Sequence, residues 1–303
     1  MTTAASGLVI VDKPPGLTSH DVVARIRKLA ATRRVGHAGT LDPMATGVLV
    51  VGVGKATRLL GYLALTQKEY IGTIRLGHST DTDDAEGATL DLVPVRNLGE
   101  AELLPAVAAL TGEISQVPPG VSAIKVGGRR SYQLARAGAA PELKPRLVTV
   151  SRLDVTSIRL AGGPDGIELA DVDVAVTCSS GTYIRAIARD LGAALGVGGH
   201  LTALRRTRVG SYDIADARTL DELTSQLEAT GQLPVTSLAD AASAAFGRRE
   251  LTDAEARAIG FGQRLPATGS GAEPVAAFAP DGSLVALLTD ADGQARSLAV
   301  FSE

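Results

Sequence analysis

The stretch Gly36-His37-Ala38-Gly39-Thr40-Leu41-Asp42-Pro43-Met44-Ala45-Thr46-Gly47 sets one acid and one histidine among small, turn-prone residues, directly before the apolar run Val48 to Val53. Glycine tolerates unusual backbone angles and Pro43 fixes φ, so the segment reads as a shaped loop that holds Asp42 at the mouth of a buried strand. Taken alone, the loop favours a turn over a reactive site, because Asp-Pro is a common turn dipeptide and a lone aspartate more often caps than reacts.

Outward from that loop, helix and strand patterns are mixed along the chain. Leu8 to Val11 is a short apolar strand, Lys13 to Gly16 a turn, and Thr18 with Asp21 a capping pair for a helix whose apolar face is Val22, Ile26, Leu29 and Ala30. A strand at Val48 to Val53 precedes a short helix carrying Leu59, Leu60 and Leu63, then a strand from Lys68 to Leu76. A helix with Leu103, Leu104, Val107 and Leu110 follows. Leu147 to Leu160 and Ile167 to Cys178 flank the turn Gly162 to Gly166 as a long hairpin, with Val172, Val174 and Val176 on one buried face. A helix bearing Ile184, Ile187, Leu191 and Leu195, a strand around Leu201 to Val209 and a helix near Leu220 to Leu227 complete this part.

Beyond Pro234 the texture reads as an alanine-rich linker. Thr252 to Glu255 is then a capping box, and Val275 to Phe278, Leu284 to Leu288 and Ser297 to Phe301 form an antiparallel meander. The pattern predicts an α/β fold of the α+β kind, with a mixed, mostly antiparallel central sheet flanked by helices and a small C-terminal β module.

Composition narrows the function classes. The 303 residues are 45% hydrophobic, enough for a substantial core. No apolar run reaches the roughly 20 residues of a membrane span, and the start lacks signal-peptide features, so the expected location is the cytoplasm. The single cysteine, Cys178, excludes an internal disulfide and a cysteine-rich zinc site, and reads as a small buried hydrophobe. Net charge is −3, yet Arg25, Arg27, Lys28, Arg33 and Arg34 form one basic cluster, Lys125, Arg129, Arg130 and Arg136 a second, and Arg205, Arg206 and Arg208 a third. Such clusters are either solvated faces or a phosphate-binding track. Acids gather between Asp81 and Asp91.

Spacing excludes several rival sites. Gly47 to Gly52 has the glycine spacing of a P-loop, but Val53 stands where lysine is required; Gly52-Val53-Gly54 lacks the third glycine of a dinucleotide fingerprint. Asp81 to Gly87 lacks an EF-hand ligand pattern, and one cysteine cannot supply a zinc deaminase centre.

Several strings, in order from Leu8 to Arg206, resemble the tRNA pseudouridine synthase B family. Gly36 to Leu49 resembles GHTGTLDPxATGVL, with Ala38 for threonine. LVIVDKPPGLTSHD, from Leu8 to Asp21, resembles LLxxDKPxGxTSHD. Lys68-Glu69-Tyr70, Leu76-Gly77 and Asp81-Thr82-Asp83 resemble KxYxxxxxLGxxTDTxD. Pro118-Pro119, Ser122 to Lys125 and Gly128 resemble the insertion that grips the T arm, with Val121 where tyrosine is frequent. Cys178 to Arg185 resembles CSKGTYIR with Ser180 for lysine, and Leu204-Arg205-Arg206 resembles the LRR after it.

The resemblance implies a pseudouridine synthase fold, with a catalytic domain over 1–238 containing an RNA-gripping insertion at about 115–146, and a PUA-like RNA-binding module over 239–303. It implies isomerisation of the T-loop uridine of tRNA (uridine 55) to pseudouridine by a monomer that contacts the T stem-loop. Asp42 falls at the family's nucleophile and Tyr70 at its stacking tyrosine. Arg185 is the candidate partner that keeps the carboxylate charged and aimed, since a guanidinium pairs bidentately with a carboxylate. Tyr183 is a further wall or proton donor, His37 a brace for the loop and Leu204 an apolar wall. Extruding a base costs a few kcal/mol, and stacking it on an aromatic ring returns roughly 1–3 kcal/mol. Neither cofactor nor metal is implied. The alternative is an RNA-binding or tRNA-folding protein that acts without catalysis. A small-substrate hydrolase with an aspartate nucleophile leaves the basic clusters without a role.

Overall fold

The computed structural model describes residues 6–96, 98–120, 125–126, 129–130 and 143–301, which fall into two compact units: Met1–Thr66 with Arg208–Glu303, and Gln67–Thr207. The motif residues Val121 to Ile124, Gly128 and Arg136 lie outside the described residues.

The first unit opens with β1 (Gly7–Lys13), α1 (Ser19–Leu29), β2 (Val35–Ala38) and β3 (Thr46–Val53). β3 pairs antiparallel with both β1 and β2. The segment read as one loop therefore begins as a strand: Gly36 to Ala38 pair with Gly52 to Val50, and the loop proper starts at Gly39. α1 carries the expected reciprocal cap, with the Asp21 N–H donating to Thr18 Oγ1 and the Thr18 N–H to Asp21 Oδ2. A 3-10 turn (Gly54–Arg58) leads into α2 (Leu60–Leu63).

The second unit contains β4 (Lys68–Leu76), β5 (His78–Thr80), β6 (Thr89–Leu92), α3 (Glu100–Ala109), β7 (Gly112–Gln116), β8 (Lys125–Val126), β9 (Arg129–Arg130), β10 (Arg146–Gly162), β11 (Glu168–Cys178), α4 (Ile184–Ala194) and β12 (Gly199–Val209), whose last two residues fall in the first unit. The strand order is β12-β4-β11-β10-β7. β11 is antiparallel to β4 and β10, and β10 to β7. Val172, Val174 and Val176 are buried, as their alternation requires. Gly192 shows what holds α4 close to the turn before β12: a Cβ there would lie 2.1 Å from the Gly198 carbonyl carbon, so only glycine fits.

The chain then returns to the first unit with β13 (Tyr212–Asp213), α5 (Leu220–Thr230), β14 (Thr236–Ser237), α6 (Leu238–Ala245), β15 (Gly247–Glu250), α7 (Asp253–Gly260), β16 (Leu265–Pro266), β17 (Val275–Phe278), β18 (Leu284–Ala291) and β19 (Gln294–Val300). The alanine-rich stretch is not a linker. β14 pairs with β1, Ser237 Oγ caps α6 by accepting from the Asp240 N–H, and Ala241 and Ala242 are fully buried. Alanine is the strongest helix former, and its small side chain lets the helix pack close.

The C-terminal sheet has the order β15-β17-β18-β19-β16, wider than the expected three-stranded meander. β15 lies parallel to β17; β16, β18 and β19 pair antiparallel. Ala276, Phe278, Leu284, Leu287 and Phe301 join Leu8, Ile10, Val48 and Val50 in one apolar cluster, so this sheet shares a core with β1 and β3. The predicted mixed, mostly antiparallel α/β architecture with a C-terminal β module matches what the chain adopts. Among the described residues no helix is long and apolar enough to cross a membrane.

Candidate active site

Asp42 sits in the β2–β3 loop, half-buried, between two residues whose backbone groups are gripped by side chains. On one side, the buried Ser19 hydroxyl accepts from the Leu41 N–H at 2.9 Å and donates to the Leu41 carbonyl at 3.1 Å. On the other, the Pro43 carbonyl accepts from the Gly16 N–H at 2.9 Å and from Lys13 Nζ at 3.1 Å. Lys13 is fully buried, and its ammonium also donates to the carbonyls of Pro14 and Leu17. A buried ammonium is costly unless its protons are taken, and these three carbonyls tie the turn after β1 to the Asp42 loop. The Ala45 N–H donates to the Asp42 carbonyl, closing a turn over Pro43 and Met44. Lys13 and Ser19 both lie inside the first motif string, but nothing in their residue types announced these contacts.

His37 lies on β2 opposite Val51, not in the loop, and is half-buried. Its ring packs edge-on against His20 with centroids 5.5 Å apart.

In the second unit Tyr70 is buried on β4, opposite Val176 of β11. Two residues along the same face, a Cβ at Gly72 would stand 2.8 Å from the Ala203 carbonyl oxygen and 3.4 Å from Leu204 Cδ1. Glycine there lets β12 approach and brings Leu204 alongside the Tyr70 face of β4.

Arg185, in the first turn of α4, is 5% exposed. Its Nη1 donates to Asp84 Oδ2 at 3.1 Å and to the Thr82 carbonyl at 2.8 Å. Asp84, also buried, accepts at Oδ1 from Thr82 Oγ1 at 2.6 Å and from the Glu86 N–H at 3.1 Å. Its loop is stitched to β12: the Leu201 N–H donates to the Asp83 carbonyl, and the Ala85 N–H to the Leu201 carbonyl. Asp83 takes a positive φ of 59°. Burial pushes its carboxyl above the ordinary aspartate value, with the Arg189 and Arg185 charges opposing. Asp84 adjoins the quoted string Asp81-Thr82-Asp83 and falls at the closing aspartate of KxYxxxxxLGxxTDTxD, the one sequence signal that marks it. A lone acid 101 positions from its arginine leaves no signal in periodicity.

Strand alternation splits the third basic cluster. Arg206 shares the buried side of β12 with Leu204 and is fully buried, so it is no part of a solvated face. Burial, and after it the Arg206 charge, lowers the pKa of Lys68 to about 8. Burial also raises the thiol of Cys178, the Lys68 partner across β4 and β11, to about 11. Arg25, Arg27, Lys28, Arg33 and Arg34 are exposed.

Among the described residues no group of three or more His, Cys, Asp or Glu is placed to hold a metal. A cavity of about 730 Å³ opens elsewhere in the first unit, beside β1, β14 and Ala215–Arg218; none of the predicted site residues lines it.

Residues 27–184 match the model of the TruB family pseudouridylate synthase N-terminal domain, 185–239 that of the tRNA pseudouridylate synthase B C-terminal domain, and 246–302 that of the tRNA pseudouridine synthase II C-terminal domain. The tRNA pseudouridine synthase B of Thermobifida fusca (strain YX) is 59% identical over 298 residues, covering 98% of this chain and 99% of that one. A solved Cbf5-Nop10-Gar1 complex superposes with TM-score 0.73 at 27% identity, over 99% of this chain and 85% of that chain. A solved H/ACA RNP bound to a substrate RNA containing 2'-deoxyuridine gives 0.72 at 26% identity, over 98% and 85%.

Proposed function

The chain belongs to the TruB family of pseudouridylate synthases, and on that premise we propose that it converts the T-loop uridine of tRNA to pseudouridine by base flipping, with Asp42 as nucleophile. It is a tRNA pseudouridine synthase, an isomerase acting on tRNA. Uracil is detached from ribose at nitrogen, turned, and rejoined through a ring carbon; a proton leaves that carbon and one is taken up at the freed nitrogen. Nothing is oxidised, hydrolysed or added, so the step needs a nucleophile to hold the intermediate and no cofactor or metal.

The observation that most supports Asp42 is the double grip on its neighbours, Leu41 and Pro43, which fixes the chain path while Asp42 itself is only half-buried. Tyr70 stacks the flipped base, Tyr183 and Leu204 wall it, Arg185 supplies the cation, and His37 braces the loop. In this reading residues 1–238 form the catalytic domain, about 115–146 grip the T arm, and 239–303 act as a PUA-like RNA-binding module. The enzyme works as a cytoplasmic monomer.

The test is mass-spectrometric mapping of pseudouridine in an unmodified tRNA transcript after incubation with wild type and Asp42→Asn, with EDTA and no added cofactor. Conversion of the T-loop uridine by wild type alone is the expected result. Conversion by the variant at the normal rate would remove Asp42 from the mechanism. Binding by both without conversion by either would leave an RNA-binding or tRNA-folding protein.

A further inference from the structure

Two side chains fasten the chain at Gln116 and Val117 to the segments that hold Arg185. Gln116 ends β7 and is 1% exposed. Its Oε1 accepts from the Tyr183 N–H at 2.8 Å, and its Nε2 donates to the Tyr183 carbonyl at 3.0 Å. Tyr183 is extended, with φ −104° and ψ 110°. Its N–H and carbonyl therefore point the same way, and a primary amide meets both with one donor and one acceptor. Tyr183 is the N-cap of α4, yet its own side chain makes no capping bond. Its carbonyl also accepts from the Ile187 N–H, which closes the turn that carries Arg185. Gln116 thus holds the N-cap residue of α4 in place from another strand, through that residue's own N–H and carbonyl.

The second fastener is Arg189, one helical turn beyond Arg185. Its Nη2 donates to the Val117 carbonyl at 2.8 Å, and its Nη1 pairs with Asp83 Oδ2 at 3.0 Å. Asp83 immediately precedes Asp84, the partner of Arg185. One side chain fixes the start of the helix that bears the guanidinium, and the other fixes the loop that bears its carboxylate. Gln116 does so from β7, while Arg189, from α4, joins the Asp83 loop to the carbonyl of the adjacent Val117.

We infer that Gln116, together with Arg189, is a positioning residue for the isomerisation: buried at the start of the segment proposed to grip the T arm, it sets Tyr183 and Arg185 without touching substrate. This rests on the proposed reading that Tyr183 and Arg185 serve the uridine site. Catalysis is sensitive to such placement, since a misplacement of about 1 Å can cost about 100-fold in rate. The inference predicts an effect on the bound complex's rate and not on RNA affinity.

Gln116→Met keeps side-chain length and removes the amide. Its single-turnover rate at saturating tRNA transcript should fall roughly 10–100-fold, while the Kd for the transcript stays within about threefold of wild type. Arg189→Met should do the same, and it carries the test if Gln116→Met fails to fold. The double variant should lose less than the product of the single losses, because both act on one turn. An unchanged rate in the single variants would overturn the inference, as would a loss of affinity that matches the loss of rate. A wild type that does not convert the transcript would instead overturn the functional reading on which it rests.

Discussion

The two segments that bear the proposed site residues Asp42 and Arg185 are held by different means. Asp42 is positioned through its neighbours, whose backbone groups are gripped by Ser19, Gly16 and Lys13. Arg185 is positioned through its own guanidinium, inserted against Asp84 and the Thr82 carbonyl. In the first segment the path of the chain is held by contacts to the backbone of Leu41 and Pro43. In the second, side chain and scaffold are the same object, so function and stability cannot be separated by substitution.

The sharpest way to break this contrast is Asp42→Asn. Turnover should fall by about 10³-fold or more, while the thermal unfolding midpoint and tRNA affinity stay close to wild type. A large drop in the midpoint would mean that the carboxylate is itself structural. Asp84→Ala should behave differently, losing turnover and about 3–5 kcal/mol of stability in urea titration, because it leaves the Arg185 charge buried beside a gap. A stable but inactive Asp84→Ala would show that Arg185 is not anchored by this pair. Ser19→Ala removes a donor and an acceptor from Leu41 and should cost about 1–3 kcal/mol, with a smaller loss of turnover than Asp42→Asn. If its turnover is unaffected, the grip on Leu41 does not position Asp42.

A further effect concerns pH. The folded-state pKa of Lys68 is depressed to about 8 from 10.5, so the unfolded chain binds the extra proton between those values. Stability should therefore rise with pH from about 8 to 10.5, and the Lys68 contribution should be flat below 8. Lys68→Met should remove that slope in unfolding measured across the interval. A wild-type curve already flat there would show Lys68 to be charged in place.

Much of the fold was legible in the sequence where local rules and burial agree. The Thr18 and Thr252 caps formed as read, and β4 spans Lys68–Leu76 as its apolar pattern indicates. Where local chemistry and tertiary packing diverge, the reading failed. Gly36 to Ala38 look like a loop because they are small, yet they pair along β3. Leu238–Ala245 look like a linker because alanine offers little apolar mass, yet it is a packed helix. β15 and β16 are short, and only their partners make them strands. For the site, Asp42, Tyr70 and Arg185 stood out by resemblance to a family's ordered strings. Of their supports, Lys13, Ser19 and Asp84 occupy fixed positions of the same strings, but what they do was not legible, because they and Gln116 act through contacts between residues distant in sequence.

The sheet that shares its core with β1 and β3 has a consequence for the order of events in synthesis. Leu8 and Phe301 lie in one cluster, and Lys55 Nζ donates to the Phe301 carbonyl at 3.0 Å. The unit that carries Asp42 thus closes over nearly the whole described chain, while residues 67–207 form an uninterrupted stretch. Long-range closure is slow. On the ribosome the stretch with Arg185 has all its residues long before the unit with Asp42 does, and a nascent chain halted before β19 holds an Asp42 loop whose core is still open.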